Sequence, residues 1–126
     1  MFENYSIKDW EKSILGNLNS MFICSQIFGK RMVKYKKGSI INLSSTYGIV
    51  GPDQSIYRNK KNKNLFFKSP SYPTSKGAVI SFTKYLASYW GDKGIRVNCV
   101  SPGGIKNNQN KVFIKRYSEK TVLGRM

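Results

Sequence analysis

The sequence predicts an α/β fold built on a parallel sheet, and three observations predict it. Two short apolar runs, "SIINLSS" at 39–45 and "IRVNCVSPGG" at 95–104, are rich in β-branched residues and end at serine or glycine, as strands buried on both faces do. Each follows a longer stretch in which apolar residues recur at three- and four-residue steps, the period of a helix. The resulting order, helix, strand, helix, strand, is that of a parallel layer with crossover helices.

Taken in chain order, Ile14, Leu18, Phe22 with Ile23, Ile27 and Met32 place the first helix over residues 10–36, with Asp9 as candidate cap and Gly38 as its stop. The first strand follows at once, and its C-terminal end is where a parallel sheet presents chemistry. Residues 51–71, "GPDQSIYRNKKNKNLFFKSPS", have no clean period, two prolines and a basic run, and read as a long loop. From Pro73 onward Ala78, Val79, Phe82, Leu86, Tyr89 and Trp90 trace one apolar side over several turns, closed by Gly91 and Gly94. The second strand then runs into a glycine turn. No internal repeat is visible.

With 126 residues, 40% of them hydrophobic, the chain is one small domain or part of one. Cys24 and Cys99 lie far apart and there is no histidine, which argues against a structural metal or a disulfide framework and for two reduced, buried thiols. The first ten residues, "MFENYSIKDW", lack a basic segment followed by an apolar core, and no run of about 18 apolar residues occurs, so a soluble cytoplasmic protein is expected. The net charge of +16 suits nucleic acid, an anionic membrane surface or a phosphorylated small molecule. Its two runs, "GKRMVKYKKG" and "RNKKNKN", are short, separate and without regular aromatic interleaving. That distribution favours a solvated lysine-rich surface over a nucleic-acid or membrane partner.

Three tyrosines precede a lysine by four residues: Tyr57 and Lys61, Tyr72 and Lys76, Tyr89 and Lys93. Tyr57 leads into a polar run with no apolar face to hold a helix, and Lys93 falls beyond Gly91. Only Tyr72 opens a helix with a buried side, where four residues rise about 6 Å and return to the same face. A phenol titrates near pH 10, but an ammonium about 4 Å away in a partly shielded site favours the phenolate by up to ~4 kcal/mol. Such a pair does the proton transfer that histidine does elsewhere. The bland alternative is a helix-start aromatic beside a solvated charge.

The segments "GNL", "GSIINLSSTYG", "YPTSKGAV" and "GIRVNCVSPGGI", in this order, resemble successive landmarks of the short-chain dehydrogenase/reductase family. The resemblance covers nearly the whole chain but only the later half of that family's domain. It implies a partial Rossmann-like, doubly wound parallel sheet and an NAD(P)-dependent oxidoreductase passing hydride between nicotinamide and a secondary alcohol or ketone. Carried over residue by residue, it implies that Ser45 hydrogen-bonds the reacting oxygen and Tyr72 gives or takes its proton. Lys76 lowers the tyrosine pKa and holds the nicotinamide ribose, and Asn17 fixes a water behind the lysine. Ser44, on the opposite side of the strand, is assigned to structure. Tyr72 and Lys76, with Pro102, Gly103 and Ile105 in the turn after the second strand, form the expected contacts to NAD or NADP, and Asn107 stands where the family often carries threonine. The family also implies a homo-oligomer built through the helices carrying Asn17 and Tyr72.

Two departures stand out. Ser45 and Tyr72 are 27 positions apart, where the family has about a dozen, which marks 52–71 as an insertion beside the substrate mouth, its "NLFF" and "RNKKNKN" either suited to a sugar or phosphate or forming an ordinary solvated loop. No glycine-rich turn, acidic ribose-binding residue or "NNAG"-type segment precedes residue 1, so residues 1–126 are expected to be the catalytic half of one Rossmann-type domain. "SSTYGIVGPDQSIY", the insertion, "SPGGIKNNQ" and "RYSEKTVLGRM" further resemble a bacterial subgroup associated with flagellin-glycan and nonulosonic-acid sugar biosynthesis. Competing expectations are an inactive remnant or partner-binding module and, from charge alone, a basic nucleic-acid binder.

Overall fold

The computed structural model describes residues 1–64 and 66–126, which fall into two compact units. The first comprises Phe2–Gly51 and Ser69–Pro102; the second comprises Met1, Pro52–Lys68 and Gly103–Met126.

The first unit opens with α1, Ile7–Ile14. Its cap is Ser6, whose Oγ accepts the Asp9 N–H at 3.4 Å. Asp9, expected as the cap, instead lies in the first turn, where its charge faces the positive end of the helix. The helix continues through a π-turn, Leu15–Asn19, into α2, Ser20–Tyr35. It stops at Lys36, in the left-handed region at φ 50°, whose N–H returns to the carbonyls of Met32 and Val33. Gly38, expected as the stop, opens the first strand.

Strand β1, Gly38–Leu43, pairs in parallel with β2, Ile95–Val100, in the register Gly38↔Ile95 to Leu43↔Val100. Helix α3, Ser71–Trp90, connects them, as a parallel pair requires. Gly94 ends the connection at φ 73°, and a Cβ there would lie 2.5 Å from the Lys36 carbonyl oxygen, so only glycine fits.

Leu86, Trp90, Ile95 and Val97 form the core, with Met32, Val33, Ile40 and Phe82 packed against it. Buried Asn42 donates to Thr83 Oγ1 at 2.9 Å, and that hydroxyl donates to the Val79 carbonyl at 2.7 Å. The opposite side of the sheet is bare: Ile41 is 63% exposed, Leu43 62% and Val100 48%. Strands buried on both faces are therefore corrected to strands covered on one, because α3 and α2 pack against the same alternate set of residues. The stripe expected to bury the first helix is also turned: Phe22, Ile23 and Ile27 are about half exposed, whereas Ser25 and Gly29 are buried. The reason is steric, since a Cβ on Gly29 would collide with the Trp90 indole. Both thiols are free, Cys24 exposed and Cys99 half-buried, rather than the buried pair expected.

In the second unit the stretch read as a loop is ordered and closed on itself; position 65 lies outside the described residues. Asp53 Oδ1 accepts the Ser55 N–H at 2.9 Å and caps a 3-10 turn, Gln54–Tyr57. Arg58 bridges Asn64 antiparallel, with Asn62 left-handed at the tip. The Gln54 side-chain amide binds the Lys68 backbone through both its ends. Helix α4, Lys111–Ser118, starts at Asn110, and its Arg116 guanidinium donates to the carbonyls of Ser55, Arg58 and Asn59 at 3.0, 2.9 and 3.2 Å. Among the described residues no helix is long and apolar enough to cross a membrane.

Gly29→Ala is expected to cost about 1–3 kcal/mol by overpacking Trp90, read as a lower urea midpoint. Gly16→Ala, with open space at its Cβ, is expected to leave the midpoint unchanged or raise it. Hydrogen bonds from Ser55, and then the Lys120 ammonium, hold the Asp53 carboxyl well below the usual carboxylate range. A depressed folded-state pKa stabilises above the unfolded value, so Asp53→Asn should be less stable than wild type at pH 7. That difference should shrink as the pH falls below about 4, in paired unfolding curves.

Candidate active site

The first unit builds its site where β1 ends. The Ser44 N–H donates to the Val100 carbonyl at 2.8 Å, carrying the ladder one residue past Leu43. Alternation then sends the two serines different ways. Ser44 Oγ donates to the Lys76 carbonyl at 2.6 Å. Ser45, extended at φ −161°, accepts the Tyr47 N–H on its Oγ at 3.2 Å and so caps a 3-10 turn, Thr46–Gly48. That bond uses the oxygen as acceptor and leaves the Ser45 O–H as a donor.

The turn packs against the start of α3, which carries Tyr72 and Lys76 one turn apart. Lys76 Nζ donates to the Leu43 carbonyl at 2.9 Å and lies 5.8 Å from the centre of the half-buried Tyr72 ring. Ser45, Tyr72 and Lys76 are thus gathered around the end of β1. Pro102, two residues past the end of β2, joins them, its carbonyl accepting the Thr46 N–H at 3.0 Å.

Asn17 sits in the π-turn, which also packs against α3; such turns are frequent at functional positions. Its Nδ2 donates to Ser13 Oγ at 3.3 Å, within its own helix, so the turn rather than a side-chain bond to Lys76 brings it to α3. Gly103 and Ile105 belong to the second unit and are exposed, Ile105 at 77%. There the neighbouring Gly104 N–H donates to Tyr117 Oη at 2.5 Å, and a Cβ on Gly104 would lie 2.8 Å from the Tyr117 ring.

The other tyrosine–lysine pairs fare differently from expectation. Lys93 does reach Tyr89, 4.3 Å above its ring and closer than Lys76 is to Tyr72, because the 3-10 turn after α3 extends the helical path. Proximity within the pair does not select the site; the serine turn and strand end beside Tyr72 do. Tyr57 is buried at 7% exposure among Phe66 and Phe113 in the second unit.

Three supporting residues escaped the sequence reading. Gly48 is one: a Cβ there would lie 2.6 Å from Ser44 Oγ and 2.7 Å from the Lys76 carbonyl. Leu43 contributes only its carbonyl, and Tyr5 Oη meets the buried Ser71 hydroxyl at 3.0 Å at the start of α3. "SSTYG" held the signal for Gly48, whereas a backbone acceptor and a partner 66 positions away leave none.

For the dinucleotide that the motif pattern implies, the donor set fits at one end. The Lys76 ammonium has three N–H donors and uses one on Leu43, leaving two for the hydroxyls of a nicotinamide ribose. Among the described residues no group of three His, Cys, Asp or Glu is placed to hold a metal.

The family model described as "short chain dehydrogenase" matches residues 1–117. The chain belongs to the short-chain dehydrogenase family. A solved short-chain dehydrogenase of Leptospira borgpetersenii with bound NAD+ superposes with a TM-score of 0.88 at 40% identity, over 99% of this chain and 46% of that one. D-threitol dehydrogenase of Mycolicibacterium smegmatis is 34% identical over 100 residues, 79% of this chain and 33% of the relative. The 3-oxoacyl-[acyl-carrier-protein] reductase FabG of Aquifex aeolicus is 30% identical over 129 residues, 99% of this chain and 46% of the relative. The chain therefore spans less than half the length of these short-chain dehydrogenases. Its two paired strands and covering helices are a part of the Rossmann-like sheet of the family.

Gly48→Ala is expected to push the turn away from α3 and lengthen the bond from Ser44 to Lys76, lowering stability by about 1–3 kcal/mol. Loss of slow hydrogen exchange at the amides that follow Lys76, with α2 unaffected, is the diagnostic measurement.

Proposed function

We propose that residues 1–126 are the catalytic half of an NAD(P)-dependent oxidoreductase that interconverts a secondary alcohol and a ketone. The observation that carries this reading is the meeting of Ser45, Tyr72 and Lys76 at the end of β1, with Lys76 held to the Leu43 carbonyl. Bound NAD(P) supplies the carbon that accepts or gives hydride. In the oxidative direction Tyr72 takes the proton of the alcohol oxygen while the alcohol carbon gives up hydride; in the reductive direction Tyr72 returns that proton. Ser45 donates its hydroxyl to the same oxygen and steadies the charge that builds there. Lys76, anchored to the Leu43 carbonyl by one donor, keeps two donors that would hold the cofactor ribose. Asn17, on the π-turn against α3, is assigned the water that relays the proton to solvent. Pro102, Gly103 and Ile105 are assigned to the nicotinamide.

A sugar or polyol substrate is favoured by the name of the threitol-acting relative and by the hydrophilic insertion, and the subgroup resemblance points the same way. Half-exposed Ile23, Ile27, Tyr85 and Tyr89 supply apolar surface for self-association through α2 and α3.

The test joins this chain to a glycine-rich first half from a relative. Turnover of NAD+ or NADP+ is then followed with polyols, sugars and 3-oxoacyl thioesters. Tyr72→Phe is expected to lower kcat by about 10²–10⁴-fold with cofactor binding retained. Equal rates would end the assignment.

A further inference from the structure

The second unit holds a cleft lined by none of the residues assigned to hydride transfer. Its volume is about 950 Å³, within the roughly 300–1,000 Å³ of small-molecule sites. The floor is aromatic: Tyr57 lies 4.4 Å from Phe66 and 5.6 Å from Phe113, centre to centre, with Ile56 and Val112 beside them. Arg58, Lys60, Lys61 and Lys111 also line it, together with the amides of Asn59, Gln109 and Asn110.

Charge in this unit is one-sided. It carries eleven lysines and arginines against two acids, Asp53 and Glu119. Both carboxylates are held by lysines outside the cleft, Asp53 by Lys120 at 3.0 Å and Glu119 by Lys115 at 3.9 Å. Among the described residues, then, no carboxylate lines the cleft or neutralises its cations.

The walls are also built in advance. The three Arg116 bonds tie the 3-10 turn and the following residues to α4. Gln54 closes the base of the excursion onto Lys68, and Arg58 Nε donates to Asn64 Oδ1 at 3.0 Å. A cleft held by its own hydrogen bonds binds without first losing entropy in ordering its walls.

We propose that this cleft binds a phosphate monoester with an apolar alkyl or aryl body. The rings take the apolar body. Four cations around one opening suit a dianion with three acceptor oxygens better than a single carboxylate. The assignment stands on the second unit alone and holds whether or not the chain transfers hydride.

Calorimetry on the full chain tests it with hexyl phosphate and phenyl phosphate, against inorganic phosphate and 1-hexanol. The esters are expected to bind at least tenfold tighter than either control, with amide shifts centred on Phe66 and α4. Lys60→Glu with Lys61→Glu, both exposed and safe for folding, should weaken the esters at least tenfold, and exposed Phe66→Ser should weaken hexyl phosphate while sparing inorganic phosphate. Equal binding of ester and hexanol would show an apolar groove only, and equal binding of ester and inorganic phosphate a diffuse cationic surface. Either result, unchanged affinity in the lysine variant, or shifts confined to α2 and α3 would overturn the proposal.

Discussion

The candidate site depends on one joint between a strand end and a helix. Ser44 gives its hydroxyl proton to the backbone of Lys76, and the Lys76 side chain returns a hydrogen bond to the backbone of Leu43. The two bonds cross between the same short segments, so neither segment slides without breaking both. Gly48 makes the joint possible, because no side chain fits between the serine turn and the helix there. Tyr72, one turn before Lys76, inherits its position from this crossing, and Ser45 inherits its own from being the residue after Ser44. The joint thus fixes the backbone positions from which both Ser45 and Tyr72 project.

Much of this was legible in the residues themselves. The period of 3.6 gave the helical stretches before β1 and before β2, though not α4, the β-branched runs gave both strands, and their order gave the parallel pairing that Gly38↔Ile95 realises. Which face of each element is covered was not legible. Phe22, Ile23 and Ile27 mark an apolar side of the first helix, but the side that meets Trp90 carries Gly29, and periodicity scores a glycine as nothing. The cap was misread for a related reason: Ser6 and Asp9 are both good capping residues, and only backbone angles separate an N-cap from a first-turn acid. In the site, side-chain roles could be read from motif context, while the Leu43 carbonyl and the path that brings Lys93 over Tyr89 arise from backbone geometry.

The excursion at 52–71 shows how a polar composition hides order. "RNKKNKN" offers no apolar period, so nothing in it signals packing. Its order comes instead from hydrogen bonds to its own backbone, supplied by asparagine, glutamine and an arginine from α4. Residues of this kind stabilise turns locally. The second unit so built carries eleven of the chain's 22 lysines and arginines.

The bare side of the sheet sets the condition under which the joint works. Parallel sheets carry helices on both faces, and here Ile41, Leu43 and Val100 face away from α2 and α3 without cover. Burying a fully exposed side chain of this kind is worth about 1.5–3 kcal/mol, and with these three about half to two-thirds exposed, covering them is worth about 3–5 kcal/mol. Leu43 is also the residue whose carbonyl anchors Lys76. Covering this face therefore acts on the lysine directly: it stiffens the strand end, and with it the ammonium beside Tyr72. The relatives, more than twice as long, have further chain with which to cover such a face. Cover on this face would therefore reach the position of Lys76 through the stability of β1, whose last carbonyl holds the ammonium.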